Sequence, residues 1–282
     1  MDFIEFLKII LFGIIEGITE WLPISSTGHL LLAEQFVKLN VSEAFWSVFL
    51  VVIQLGAILA VVLIFWNKIW PFTMDKEKNY VQMPKIILWL KIIIACLPAA
   101  VIGLLFEDAI DSVFYTETTA PYTVGSTLII YGILFIVIEN YNKKRKPIVE
   151  SLSMMSFKMA FWIGVFQLLA LIPGTSRSGA TIIGAILLGT SRSVAAEFTF
   201  YLAIPVMAGA SLLKVVKFIA KNGMFTGNEI VILLTGCIVA FLVSFFVIKF
   251  LMDYIKKHDF KVFGWYRIVV GIIVLTYFSV WA

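Results

Sequence analysis

Between Ala44 and Trp66 the chain carries no charged side chain, and the same holds from Ile230 to Ile248. Uncharged runs of this length reach the ~18 apolar residues that read as a membrane-spanning helix, and several other stretches approach it. Composition agrees, since 61% of the 282 residues are hydrophobic and 14% charged, against roughly 45–50% and 25% in a soluble domain. The expected fold is an all-α integral membrane protein whose main solvent is the bilayer.

The formal net charge of +4 is concentrated in connecting segments, which argues for orientation in a membrane and against nucleic acid as a partner. Cys96 and Cys237 stand alone in different apolar segments and suggest neither a disulfide framework nor a metal set. The first apolar stretch follows Asp2 and Glu5, lacks a basic leader and carries Glu16 and Glu20 toward its end. It is expected to belong to the mature fold rather than to a cleaved signal peptide.

Hydropathy divides the chain into ten apolar segments, at about 3–22, 29–39, 44–66, 86–106, 118–138, 157–172, 179–191, 195–213, 230–248 and 265–282. Four of them (3–22, 29–39, 157–172 and 179–191) are too short, or too polar at one end, to be comfortable spans, and they form two pairs. Each pair is broken by a proline followed by small hydroxylated residues. The first break reads Pro23-Ile24-Ser25-Ser26-Thr27-Gly28-His29 and the second Pro173-Gly174-Thr175-Ser176-Arg177-Ser178-Gly179. Irregular backbone at membrane depth is tolerated only where protein or a polar cavity covers it, so each pair is expected to be a re-entrant helical hairpin.

The breaks lie 150 residues apart, and Phe49 and Gln54 correspond to Phe200 and Pro205 at an offset of 151. The expected architecture is a single membrane domain, 1–282, built as a polytopic helical bundle of two inverted-topology repeats, 1–150 and 151–282. Each repeat would hold one re-entrant helical hairpin and three transmembrane helices. Three crossings are odd, so the second half is inverted relative to the first and the hairpins meet near the midplane.

Loop charge supports that arrangement. The 67–85 segment has Lys68, Lys76, Lys78 and Lys85 against Asp75 and Glu77, and the 139–150 segment has Lys143-Lys144-Arg145-Lys146, so both read as cytoplasmic. The 107–117 segment has Glu107, Asp108, Asp111 and Glu117 and reads as outside, while 249–261 returns to Lys249, Lys256, Lys257 and Lys261. Both termini then fall outside. Lys214, Lys217 and Lys221, placed on the outer side, run against the rule.

An ionised group at the centre of a membrane helix costs roughly 2.5–3.5 kcal/mol on insertion scales, so the charges at the breaks need a reason. Glu16 and Glu20 are one helical turn apart, with Cβ atoms about 6 Å from each other. Two carboxylates that close need a proton, a divalent ion or His29 between them. Ser25, Ser26 and Thr27, like Thr175, Ser176 and Ser178, stand where a helix begins and can serve simply as caps. Two helix N-termini meeting in the membrane also make an anion site, to which Arg177 adds a planar fork suited to phosphate; its blander alternative is an ion pair with Glu16 or Glu20. His29 lies beside these hydroxyls and carboxylates and is a candidate base. His258 reads as solvated, Glu34, Glu139 and Glu197 as interfacial, and Gln54 and Gln167 as polar contacts within the bundle. Together the breaks offer a nucleophile, a base, a carboxylate pair and a cationic clamp, a set that describes phosphoryl transfer, although a carrier of phosphorylated lipids would share the architecture.

The run Glu16-Gly-Ile-Thr-Glu20-Trp-Leu-Pro-Ile-Ser-Ser-Thr-Gly-His29, with Pro173-Gly-Thr-Ser-Arg-Ser-Gly-Ala-Thr181, closely resembles the undecaprenyl-diphosphatase family, also called bacitracin resistance proteins. The likeness covers essentially the whole chain. It implies hydrolysis of undecaprenyl diphosphate to undecaprenyl phosphate, which recycles the lipid carrier for the cell wall, in the bacterial cell membrane at a site open to the outer face. It also implies bacitracin resistance, because the antibiotic sequesters the diphosphate. The family's functional positions fall on Glu16, Glu20, Ser26, Thr27, His29 and Arg177, with a divalent cation, Mg2+ or Ca2+, at Glu16 and Glu20. Ser25, Thr27, Ser176, Arg177, Ser178 and Thr181 are the expected phosphate contacts. Ser26 is the favoured nucleophile with His29 as its base, the alternatives being His29 itself or a cation-bound water. The expected partners are a polyprenyl diphosphate lipid and the bilayer, with a homodimer as an option and no nucleic acid.

Overall fold

A computed structural model describes residues 2–73, 80–116, 118–143 and 145–280. Asp75, Lys76, Glu77, Lys78, Glu117 and Lys144 of the loop-charge argument lie outside these residues. Among the described residues ten α-helices are present: α1 (Phe3–Thr19), α2 (Ser26–Phe36), α3 (Glu43–Ile69), α4 (Met83–Phe114), α5 (Ala120–Asn142), α6 (Phe157–Gln167), α7 (Arg177–Leu187), α8 (Arg192–Asn222), α9 (Gly227–Tyr254) and α10 (Lys261–Val280). A short 3-10 turn, Leu168–Leu171, extends α6. Among the described residues, strand pairing is limited to two isolated bridges, Phe72 with Val81 and Val149 with Thr190.

Most helices start where a side chain can satisfy a free N–H group. Asp2, Ser42, Ser156 and Ser191 accept from Glu5, Phe45, Met159 and Val194 in turn, and Thr226 with Glu229 forms a reciprocal capping box at α9. Among the described residues six helices are long and apolar enough to cross a membrane: α3, α4 as far as Phe106, α5, α8, α9 and α10. Their outward faces are apolar, with Leu105 70% and Phe246 69% exposed. Such a surface is stable against lipid and not against water. The chain is a multi-pass membrane protein.

The helices cross closely because glycines remove the side chain at the contact. A Cβ on Gly56 of α3 would sit 2.0 Å from the Cys237 carbonyl oxygen of α9, and one on Gly132 of α5 would sit 2.7 Å from the Gly264 carbonyl oxygen of α10. α1 packs against α9, α6 against α4, and α5 against α10. The ends of the helices depart from the hydropathy segments. The acidic 107–117 segment is not a loop throughout, because α4 runs on to Phe114, and Lys214, Lys217 and Lys221 belong to the last turns of α8. Glu139, read as interfacial, is buried: it pairs with Arg192 through two nitrogens and accepts from the Phe260 N–H.

Candidate active site

The two breaks, far apart in sequence, meet around one arginine. Arg267 of α10 is fully buried, and it donates from Nη1 to the Pro23 carbonyl (3.1 Å) and from Nη2 to the carbonyls of Gly174 (2.8 Å) and Thr175 (2.9 Å). Carbonyls released where helices stop must find donors, and a single planar fork here serves both breaks. Its guanidinium also lies 5.5 Å from the Tyr131 ring centroid.

In each break a serine at the helix entry takes a positive φ, 73° for Ser25 and 71° for Ser176; among the described residues no other non-glycine residue does so. That conformation costs an L residue of order 1–3 kcal/mol and persists only where the surroundings enforce it. Each serine hydroxyl caps its helix, accepting from the N–H of Gly28 (3.4 Å) or Gly179 (3.2 Å). Because Ser25 does the capping, Ser26 is left as the first helical residue with its hydroxyl free to turn elsewhere.

It turns to Glu20. Ser26 Oγ donates to Glu20 Oε2 at 2.8 Å, and Glu20 Oε1 accepts from Arg177 Nη2 at 3.0 Å. The other arm of Arg177 is held by the Thr199 carbonyl of α8 at 3.0 Å. Ser178 Oγ donates to the backbone carbonyl of Glu20 at 3.1 Å, fixing the start of α7 to the end of α1. Glu20, Ser26, Thr27, Gln54, Ser176 and Arg177 line a cavity of about 150 Å³. Water takes about 30 Å³ per molecule, so the space holds a phosphate group and a few waters.

Of the residues expected from sequence, Glu20, Ser26, Thr27, Ser176 and Arg177 therefore converge. Ser25, Ser178 and Thr181 do not line the cavity. Thr181 is fully buried, donates to the Arg177 carbonyl (2.9 Å) and accepts from the Thr199 hydroxyl (2.9 Å), so these three hydroxyls hold backbone in place instead of facing a ligand. His29 does not bond to Ser26 either. Its Nδ1 is 2.7 Å from the Ser25 carbonyl oxygen and its Nε2 2.8 Å from the Tyr266 hydroxyl. A carbonyl only accepts, so Nδ1 carries the proton and, in the neutral ring, Nε2 accepts from Tyr266. The carboxylate in contact with Ser26 is that of Glu20.

Glu16 is wholly buried, and neither carboxylate oxygen has a hydrogen-bond partner. An orphaned carboxylate is costly unless a proton or a cation meets it. Hard oxygen donors suit Mg2+ or Ca2+, and Glu16 lies one helical turn before Glu20. Among the described residues no cluster of three or more His, Cys, Asp or Glu side chains gathers. The protein thus offers two carboxylates, which fits an ion that takes its remaining ligands from phosphate and water.

A family model described as bacitracin resistance protein BacA matches residues 9–273, a range that contains both breaks and Arg267. The chain belongs to the BacA family. It is 61% identical over 278 residues to an undecaprenyl-diphosphatase of Lachnoclostridium phytofermentans, covering 99% of this chain and 98% of that one. It is also 61% identical over 280 residues to one of Desulfitobacterium hafniense, with 99% and 98% covered, and 59% identical over 276 residues to one of Enterococcus faecalis, with 98% of each.

Within this BacA-family chain, sequence reasoning missed Arg267 and Tyr266. Both stand at the start of segment 265–282, where polar side chains read as interfacial; α10 begins earlier, at Lys261, which carries Arg267 inward. The principle applied to the charges at the breaks, that a charge at membrane depth needs a reason, could have found Arg267 inside segment 265–282 as well. Gln54, noticed only as a polar contact, lines the cavity.

Proposed function

We propose that this chain hydrolyses undecaprenyl diphosphate to undecaprenyl phosphate and inorganic phosphate at the cavity between the two breaks. The observation that carries the reading is the contact chain Ser26–Glu20–Arg177, which joins a hydroxyl, a carboxylate and a guanidinium in a membrane protein. The relatives' name supplies the substrate. Ser26 Oγ attacks the terminal phosphorus and gives its proton to Glu20, and the bond from that phosphorus to the bridging oxygen breaks. The bridging oxygen takes that proton back from Glu20 and leaves with the lipid as its monophosphate. Water then attacks the phosphoserine and gives its proton to the freed Glu20 carboxylate, which returns it to Ser26 Oγ as the phosphorus–Oγ bond breaks and phosphate departs. Arg177 and the free N–H groups at the start of α7 face the charge that moves. A divalent cation, magnesium or calcium, held by Glu16 with Glu20 would neutralise diphosphate charge.

The same proposal includes two inverted repeats, 1–150 and 151–282, each with a re-entrant hairpin, α1–α2 and α6–α7. Three features support it. Ser25 and Ser176 share an unusual backbone conformation at an offset of 151. α1 packs on the fourth helix of the other half, α9, as α6 packs on α4, and α5 pairs with α10. An odd number of crossings per half then opposes the hairpins. The site would face the outside of the bacterial cell membrane, where the carrier is released during wall synthesis.

The test is phosphate release from a long-chain prenyl diphosphate by detergent-purified protein. Turnover is expected, to be lost on chelation and regained with Mg2+ or Ca2+. Absence of turnover in folded protein would favour a carrier of phosphorylated lipids, and turnover indifferent to chelation would remove the cation.

A further inference from the structure

A second cavity, of about 470 Å³, shares no lining residue with the candidate active site. Lys68 of its lining stands fourteen residues beyond Gln54 on α3, roughly 20 Å along the axis at 1.5 Å per residue. Its charged lining is Lys68, Lys85 and Lys91, from α3 and α4, against the single carboxylate of Glu197 on α8. Glu197 is already committed, accepting from Lys68 Nζ (2.9 Å) and from the Tyr201 hydroxyl (2.5 Å). Among the described residues, neither Lys85 nor Lys91 has a carboxylate partner. Lys91 is only 5% exposed, and its ammonium has one neutral acceptor, the Leu152 carbonyl at 3.2 Å, with the Phe157 ring centroid 6.0 Å away. Two of its three N–H donors are left over in a place poor in water. A desolvated cation is costly unless an anion meets it, and among the described lining residues the one carboxylate, Glu197, is already engaged.

The walls say what kind of anion fits. Pro84, Leu88 and Leu152 are apolar, and Ile87 both lines the cavity and is 39% exposed on the outer surface of α4. A free phosphate would leave these walls bare, whereas an amphiphile covers them. We propose that this cavity binds the phosphate headgroup of an anionic membrane lipid, with Lys85 and Lys91 meeting the phosphate and an acyl chain lying along α4.

Binding of phosphatidylglycerol and phosphatidylcholine to the detergent-solubilised full chain, followed by native mass spectrometry, tests this. Saturable binding of one phosphatidylglycerol in preference to phosphatidylcholine is expected, weakened on the order of tenfold or more in the Lys85→Gln Lys91→Met double variant. Lys85→Gln alone, at a partly buried position, is expected to weaken it in the same direction. Lys256→Gln, at an exposed lysine paired with Asp253, is expected to leave it unchanged. Equal binding of the two lipids, or equal loss in the Lys256 variant, would overturn the proposal. So would inorganic phosphate displacing all bound anion while phosphatidylglycerol shows no preference, which would assign the cavity to free phosphate.

Discussion

Ser26 and Ser25 are neighbours with the same side chain and opposite duties. Ser25 takes the strained backbone and caps α2; Ser26, one residue on, is thereby free to donate to Glu20. Ser26→Ala is therefore expected to abolish phosphate release while binding of the lipid diphosphate and the melting temperature stay near wild type. Glu20→Gln loses the base and the partner of Arg177 together, and a fall in kcat on the order of 10²–10⁴ is expected. The phosphoenzyme should be acid-stable, as phosphoserine is. An acid-labile intermediate would hand the role to His29, whose ring nitrogens here face Ser25 and Tyr266, and an active Ser26→Ala variant would leave it to His29 or a cation-bound water. Residue types and their order in the breaks were legible in the sequence. The division of labour among adjacent hydroxyls was not, because it depends on one φ angle.

Helix α1 ends just before the first break and α7 begins within the second, and α10 is what joins the two breaks. Its Arg267 reaches residues 244 and 93 positions away. The glycine contact between Gly132 and Gly264 brings α10 close against α5, one turn before Arg267. In Arg267→Met three buried carbonyls lose a donor, at roughly 1–3 kcal/mol for each group left unsatisfied. A clear drop in thermal midpoint is expected, with kcat reduced because Ser26 and Arg177 no longer share a frame. Arg267→Lys should recover only part of both, since an ammonium lacks the fork. If Arg267→Met melted like wild type, the breaks would have to be held together by something else.

For the whole molecule, the question is how the two halves are oriented. Thr116 precedes α5 and Lys146 follows it, so the two positions lie on opposite sides if α5 crosses the bilayer. Single cysteines at Thr116 and Lys146, in a background with Cys96 and Cys237 replaced by serine, are to be challenged with an impermeant thiol reagent on intact cells. Labelling at 116 and protection at 146 is the expected result. Labelling at both would deny α5 its crossing and remove the inverted repeat, while protection at 116 with labelling at 146 would turn the molecule over and move the candidate site to the inner face.

Hydropathy alone determined that the chain lives in a bilayer, that it holds ten apolar segments, and that two of the junctions between them are polar breaks, because each of these is a sum over neighbouring residues. Glu20 and Arg177 stood out for the same local reason, a charge where lipid forbids one. Tertiary structure decided the rest. The Glu20–Arg177 ion pair spans 157 positions, the burial of Glu139 depends on Arg192 arriving from α8, and the final turns of α4 and α8 run past the apolar core on which segment ends were drawn. Those outcomes are contacts between distant elements, set by how closely glycine-lined helices approach and by which donors reach freed carbonyls, and no window along the chain contains both partners.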